Sequence, residues 1–256
     1  MTFFDSLILG IVEGVTEFLP ISSTGHLMLA AKLLNIPQTE FAKSFGIIIQ
    51  LGAIMAVVVL YWRMLLVNTE VIKKVAVAFV PTGILGLLLQ KVIKQVFLAR
   101  TDIVLWALFL GGILLIVFEK CYREKKGAVR NFDVITYRTA VCIGLFQSLA
   151  VVPGVSRAAA TIVGGLILGL NRKTIVEFSF RLAVPTMLAA TALDLLKGSA
   201  VFSAQDVGYL GAGFVTSFLV AMASIKFLLR FIQNSNFIPF GIYRIGAAIL
   251  FWFFIR

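Results

Sequence analysis

Gly10-Ile-Val-Glu13-Gly-Val-Thr-Glu17-Phe-Leu-Pro20-Ile-Ser-Ser-Thr-Gly-His26 is the stretch on which the reading of this chain turns. Two carboxylates, Glu13 and Glu17, lie one helical turn apart among apolar residues. A proline, three successive hydroxyls and the only histidine follow at once. Far along the chain, Pro153-Gly-Val-Ser-Arg157 repeats the theme between apolar runs and supplies a cation. Ionisable side chains are costly in hydrocarbon and persist there chiefly for function. The pattern predicts one site divided between two halves of a membrane protein.

Composition agrees. Hydrophobic residues make up 60% of the 256 and charged residues 14%, with a mean hydropathy of +1.02. A soluble domain is about 45–50% apolar. Runs such as Ile103 to Phe118 and Ile175 to Leu196 approach or reach the roughly 20 residues that span a bilayer. No apolar-polar alternation suggests membrane strands, so helices cross the membrane. Met1-Thr-Phe-Phe-Asp5 has no basic leader, and the apolar stretch after it holds Glu13 and Glu17, so no cleavable signal is expected. Cys121 and Cys142 form no metal-ligand spacing; Cys142 is expected to be buried and Cys121 incidental. The net charge of +11 forms no stripe for nucleic acid. The basic residues border the apolar spans, as orientation signals and headgroup contacts do.

The order of elements repeats. Phe3 to Leu19 and Ile21 to Ile36, broken at Pro20, form a short helix-loop-helix that enters and leaves on one side. Spans follow at Phe45 to Trp62, Val75 to about Lys91 with a kink at Pro81, and Ile103 to Phe118. After a charged loop from Glu119 to Arg138, Thr139 to Val152 and Ser156 to Leu170 form a second broken pair. Further spans are expected at Ile175 to Leu196, Val207 to Phe231 and Pro239 to Ile255. Gly10-Ile-Val-Glu13 corresponds to Gly144-Leu-Phe-Gln147, and Leu19-Pro20 to Val152-Pro153. The expected architecture is all-α: six transmembrane helices and two re-entrant hairpins. Residues 1–118 and 139–256 form an inverted repeat around the 119–138 loop. Broken helices of such repeats meet near the midplane, and irregular backbone there needs protein or a wet cavity around it. The two breaks should therefore face each other, with Arg157 near Glu17.

Basic residues set the orientation. One side collects Arg63, Lys73, Lys74, Lys120, Arg123, Lys125, Lys126, Arg130, Arg138, Arg172, Lys173, Lys226 and Arg230. The other has Lys32, Lys43, Lys91, Lys94, Arg100, Lys197 and Arg256. The richer side is expected to be cytoplasmic, with both termini outward.

At i and i+4 on a helix, Glu13 and Glu17 share a face. Two like charges there need a shared proton or a cation, and a hard divalent ion bridges carboxylates to phosphate oxygens. The bland alternative is a pair of acids lining a wet hairpin. Ser22, Ser23, Thr24 and Gly25 read as a loop entering a helix, where hydroxyls and free N–H groups make an anion site. Ordinary capping needs only one of them. With a single histidine, a multi-histidine zinc site is excluded, as is the two-histidine arrangement of type-2 phosphatidic acid phosphatases. Three residues after Ser23, His26 is expected within reach of that hydroxyl and of Glu17. Arg157, after Ser156, can hold a phosphate through two parallel hydrogen bonds; the alternative is snorkelling to headgroups. Arg181 reads as a snorkelling or structural arginine, with contact to substrate as the lesser alternative. Gln50 is either helix-helix glue or cavity wall.

These motifs, with Ile49-Gln-Leu-Gly52, Tyr61-Trp-Arg63 and Glu177-Phe-Ser-Phe180, closely resemble the bacitracin-resistance family of undecaprenyl-diphosphate phosphatases over essentially the whole chain. The resemblance implies hydrolysis of a C55 polyprenyl diphosphate to the monophosphate in the bacterial cytoplasmic membrane, at a site opening to the periplasm. It implies dependence on a divalent cation, magnesium or calcium, and the same fold of six spans and two hairpins. Residue by residue, it carries catalytic roles to Glu17, Ser23, His26 and Arg157 and metal binding to Glu13 and Glu17. Ser22, Thr24, Gly25, Ser156 and Gln50 are then the expected substrate contacts. The family usually has Ser-Gly after that arginine; here Ala158-Ala159 stand there. Ser23, His26 and a directly attacking water all remain open as the nucleophile. The partners expected are the lipid substrate and the bilayer, with a homodimer as an open option and no nucleic acid. The competing reading is a flippase or transporter of the polyprenyl phosphate.

Overall fold

The computed structural model describes residues 1–37, 39–89, 92, 100–124, 128–129, 132–195 and 204–255. Ten α-helices account for most of them: α1 (Phe3–Thr16), α2 (Ser23–Leu33), α3 (Glu40–Val67), α4 (Thr69–Leu88), α5 (Thr101–Cys121), α6 (Tyr137–Ser148), α7 (Arg157–Ile167), α8 (Arg172–Leu195), α9 (Ala204–Asn234) and α10 (Ile238–Ile255). Among the described residues the only β pairing is an isolated parallel bridge between Val129 and Leu170.

Helix starts follow local chemistry. Thr2 and Asp5 form a capping box on α1, and Thr39, Asn68 and Thr136 each accept a hydrogen bond from the N3 amide of α3, α4 and α6. Asn68 also separates α3 from α4, so α4 begins at Thr69 rather than at the expected Val75. Likewise α3 begins at Glu40, ahead of Phe45. Helix α5 runs on to Cys121, so Glu119, expected in the loop, is helical and buried. It takes two hydrogen bonds from Arg172 (2.5 and 2.8 Å) and one from the Phe237 amide (3.2 Å). Cys142 is half-buried rather than buried, and Cys121 is exposed. The expected span ends at Lys91 and Leu196 lie outside the described residues, as do Lys94, Lys125, Lys126, Arg130, Lys197 and Arg256.

Among the described residues, five helices are long and apolar enough to cross a membrane: Glu40–Arg63, Thr69–Leu88, Thr101–Cys121, Arg172–Leu193 and Asp206–Asn234. Helix α10 is apolar but shorter. The molecule is turned inside out relative to a soluble protein. Its outer face carries Phe253, Phe4, Leu88 and Leu114, each at least two-thirds exposed, while Glu13, Arg181 and Arg244 are at most 1% exposed. An apolar skin over a partly polar interior suits lipid as the surrounding solvent. The chain is a multi-pass membrane protein.

Two close helix pairs position the site. Helix α1 lies against α9, and α6 against α4. In both, a glycine lets backbone meet backbone: a Cβ on Gly10 would stand 2.8 Å from the Gly213 carbonyl, and one on Gly144 would collide with that of Ala78. These are the glycines of the two corresponding sequence stretches. Helix α3 packs on α9 and on α8, α8 also packs on α4, and α5 packs against α10.

Candidate active site

Each broken pair consists of two short helices, 14 and 11 residues in the first and 12 and 11 in the second. After α1, residues 17–22 turn at Pro20, and Ser22 adopts φ +75°, ψ +93°. That left-handed backbone is uncommon for a serine and concentrates at functional sites. No side chain caps α2, so its first amides and the Ser22 hydroxyl are free to serve another acceptor or donor. After α6, a 3₁₀ turn (Leu149–Val151) leads into Pro153-Gly154, with Gly154 at φ +93°. There Ser156 caps α7, its hydroxyl accepting from the Ala159 amide at 3.2 Å.

The two breaks meet. Arg157 Nη2 donates to Glu17 Oε1 at 3.1 Å, with both side chains largely buried, and the other Glu17 oxygen accepts the Ser23 hydroxyl. Arg157 Nη1 donates to the Ser179 carbonyl at 3.0 Å. Its guanidinium lies 6.0 Å from the Phe18 ring centre. Thus the acid that ends α1, the hydroxyl that opens α2 and the cation that opens α7 form one chain of contacts. A carboxylate at a helix C-terminus opposes the dipole there; the arginine beside it offsets that cost.

A cavity of about 230 Å³ opens over this cluster. Its wall includes Glu17, Ser22, Ser23, Thr24, Gln50, Ser156 and Arg157, all expected from sequence, together with Thr186, Met187 and Ala190 of α8. The first residues of α2 and of α7 both face it, so two helix N-termini converge on one space, an arrangement that attracts anions. Gln50 is cavity wall. Gly25 packs instead toward Val104 and Leu108.

Glu13 lies behind the cavity, fully buried, with neither carboxylate oxygen hydrogen-bonded. Its counterpart Gln147 is also fully buried. The Gln147 amide donates to Thr82 and Thr186, both at 3.0 Å, and its carbonyl is unpartnered.

His26 departs from expectation. Its Nδ1 donates to the Ser22 carbonyl at 2.8 Å, which leaves Nε2 to accept from the Tyr243 hydroxyl at 3.0 Å. The two rings stack at 5.5 Å. The Ser23 hydroxyl goes to Glu17 instead, because the helical rise carries His26 toward α10. Arg181 does not snorkel. It is fully buried between Tyr61 and Phe132, 4.8 and 4.1 Å from their ring centres, and pairs with Glu177 at 3.3 Å. Sequence reading missed Thr186, Tyr243 and Arg244. A hydroxyl in an apolar helix is ordinary, and nothing local marks a tyrosine near a chain end as a histidine partner.

The family described as "Bacitracin resistance protein BacA" matches residues 6–250. An undecaprenyl-diphosphatase of Wolinella succinogenes is 51% identical over 255 residues, covering 100% of this chain and 99% of its own. That of Sulfurihydrogenibium sp. is 53% identical over 252 residues, with coverage of 98% and 99%. That of Aquifex aeolicus is 49% identical over 251 residues, 98% of each chain. With its full length matched and both breaks closing on one cavity, this chain belongs to the bacitracin resistance protein BacA family.

Proposed function

We propose that this chain is an undecaprenyl-diphosphatase. It removes the terminal phosphate of undecaprenyl diphosphate, recycles the monophosphate carrier of cell-wall synthesis and thereby confers bacitracin resistance. The observation that carries this reading is the Glu17–Arg157 contact at 3.1 Å. It joins an acid, a hydroxyl and a cation beneath two converging helix N-termini. A diphosphate headgroup is a compact polyanion, and such a floor neutralises it without water.

Phosphoryl transfer needs mainly positioning and charge. Arg157 and the open amides of α2 hold the terminal phosphate, while Ser22 and Thr24 orient it. The Ser23 oxygen attacks the terminal phosphorus and its proton passes to Glu17, which already accepts that hydrogen bond. The bond to the bridging oxygen breaks, and undecaprenyl phosphate leaves. Water then cleaves the phosphoserine, giving inorganic phosphate and restoring the hydroxyl. His26, held by Tyr243, fixes the Ser22 carbonyl and with it the strained turn.

The residues present suit a hard divalent ion. Glu13 offers two buried oxygens without partners, Glu17 stands one turn on, and oxygen donors match magnesium or calcium. Among the described residues no group of three or more His, Cys, Asp or Glu gathers as a metal cluster, so Glu13 and Glu17 would hold the ion only together with oxygens of the substrate. When bound, the ion supplies charge neutralisation at the diphosphate.

The exchange of partners, α1 on α9 and α6 on α4, supports an inverted repeat of residues 1–118 and 139–256. In it α10 is the sixth span and both broken pairs are re-entrant. With the basic side inward, the protein lies in the cytoplasmic membrane and its cavity faces the periplasm.

Purified protein in detergent is expected to release phosphate from a polyprenyl diphosphate, and to lose that activity with chelator. A protein that only flips the lipid would release none. Trapped phosphate on Ser23 supports the mechanism. Label on His26, or none at all, moves the nucleophile to the histidine or to water.

A further inference from the structure

Arg244, in α10, is 1% exposed. Its Nη2 donates to the carbonyls of Ala107 and Gly154, both at 2.9 Å, its Nε to Leu108 at 3.3 Å and its Nη1 to Pro20 at 3.4 Å. Pro20 and Gly154 are the residues at which the two hairpins break. Breaking a helix at membrane depth strands carbonyls that water cannot reach. One planar guanidinium with five donors serves a carbonyl from each break and braces both on α5. Helix α5 makes room for it: a Cβ on Gly111 would collide with the Arg244 guanidinium. Glu17 lies three residues before Pro20, and Arg157 three after Gly154. Fixing those two carbonyls therefore fixes how far the acid stands from the cation.

We infer that Arg244 is a positioning residue that clamps the two breaks to each other, setting the Glu17–Arg157 register without touching the substrate. The inference rests on the phosphatase reading, and phosphate release by the parent protein checks that reading separately. Displacements of about 1 Å in such sites cost on the order of 10²-fold.

The test is a cycle with Arg244→Met, Arg244→Lys, Gly111→Ala and the pairings of Gly111→Ala with each, all purified in detergent. Each kcat is referred to the folded fraction eluting as the parent does. Arg244→Met is expected to lower kcat ~10- to 100-fold. Arg244→Lys, which reaches fewer carbonyls, should fall between. Gly111→Ala retains the charge but displaces the guanidinium, and is expected to lower kcat as well. In the Arg244→Met background the same alanine should cost nothing more, because the group it displaces is gone. The inference is overturned if kcat in both single variants stays within about twofold of the parent, or if the two losses multiply, as independent structural damage would. Should Arg244→Met fail to fold, the Arg244→Lys background carries the same cycle, with a smaller alanine effect expected.

Discussion

At the break between α1 and α2 the new helix starts uncapped, from a serine in left-handed backbone. At the break between α6 and α7 the new helix is capped by its own Ser156, and glycine carries the left-handed turn. The first break leaves donors open and spends conformational strain to do so; the second satisfies its own backbone and contributes one long cation. Behind them the contrast recurs: Glu13 is a buried acid without a partner, and Gln147 a neutral amide tied to Thr82 and Thr186. On the proposed mechanism the first break is the reactive one and the second the supportive one.

The sharpest way to break that comparison is to remove the contact between the halves. Glu17→Ala and Arg157→Ala are each expected to lower phosphate release ~10²- to 10³-fold, as loss of a preorganised charge does, measured with a polyprenyl diphosphate in detergent. Arg157→Lys should restore little, since an ammonium cannot bridge Glu17 and the Ser179 carbonyl together. Next, the two serines should part company. Ser23→Ala should lose ~10²-fold in kcat with a normal melting temperature. Ser156→Ala should keep most of its activity and lose about 1 kcal/mol of stability, the worth of an N-cap. Equal losses in both would erase the distinction between the breaks.

Glu13→Gln sharpens the contrast further. Titrating the divalent cation against activity should show a higher requirement than the parent's, whereas Gln147→Leu should leave the cation requirement unchanged. The smallest effect on turnover is expected from the packing glycines. Gly10→Ala and Gly144→Ala should each destabilise by roughly 1–3 kcal/mol through overpacking, read as a drop in melting temperature, with kcat per folded molecule close to the parent's. A large difference between the two would argue against equivalent roles for α1 on α9 and α6 on α4.

Much of this was legible in the residues because membranes make polar groups conspicuous. Glu17, Ser23 and Arg157 stand out against apolar neighbours, and the breaks announce themselves through Pro20 and Pro153-Gly154. The span cores at Ile103 to Phe118 and Val207 to Phe231 lie inside α5 and α9. What escaped depends on three-dimensional register. Hydropathy cannot place the start of α4, because Asn68 begins the helix before the apolar run does. Three residues separate Ser23 from His26, yet the rotation of the helix sends one hydroxyl to Glu17 and the imidazole to Tyr243. The buried fate of Arg244 is set by carbonyls from three distant segments, and no spacing in the chain reports it.

The packing of α1 on α9 has a consequence for biosynthesis. Gly10 leaves the ribosome about 200 residues before Gly213, and at roughly 5–20 residues per second that is about 10–40 s. Throughout that interval α1 carries Glu13 without its main packing surface, so the nascent hairpin is expected to wait at the bilayer interface or with the insertion machinery. Chains stopped before α9 should be prime substrates for membrane quality-control proteases.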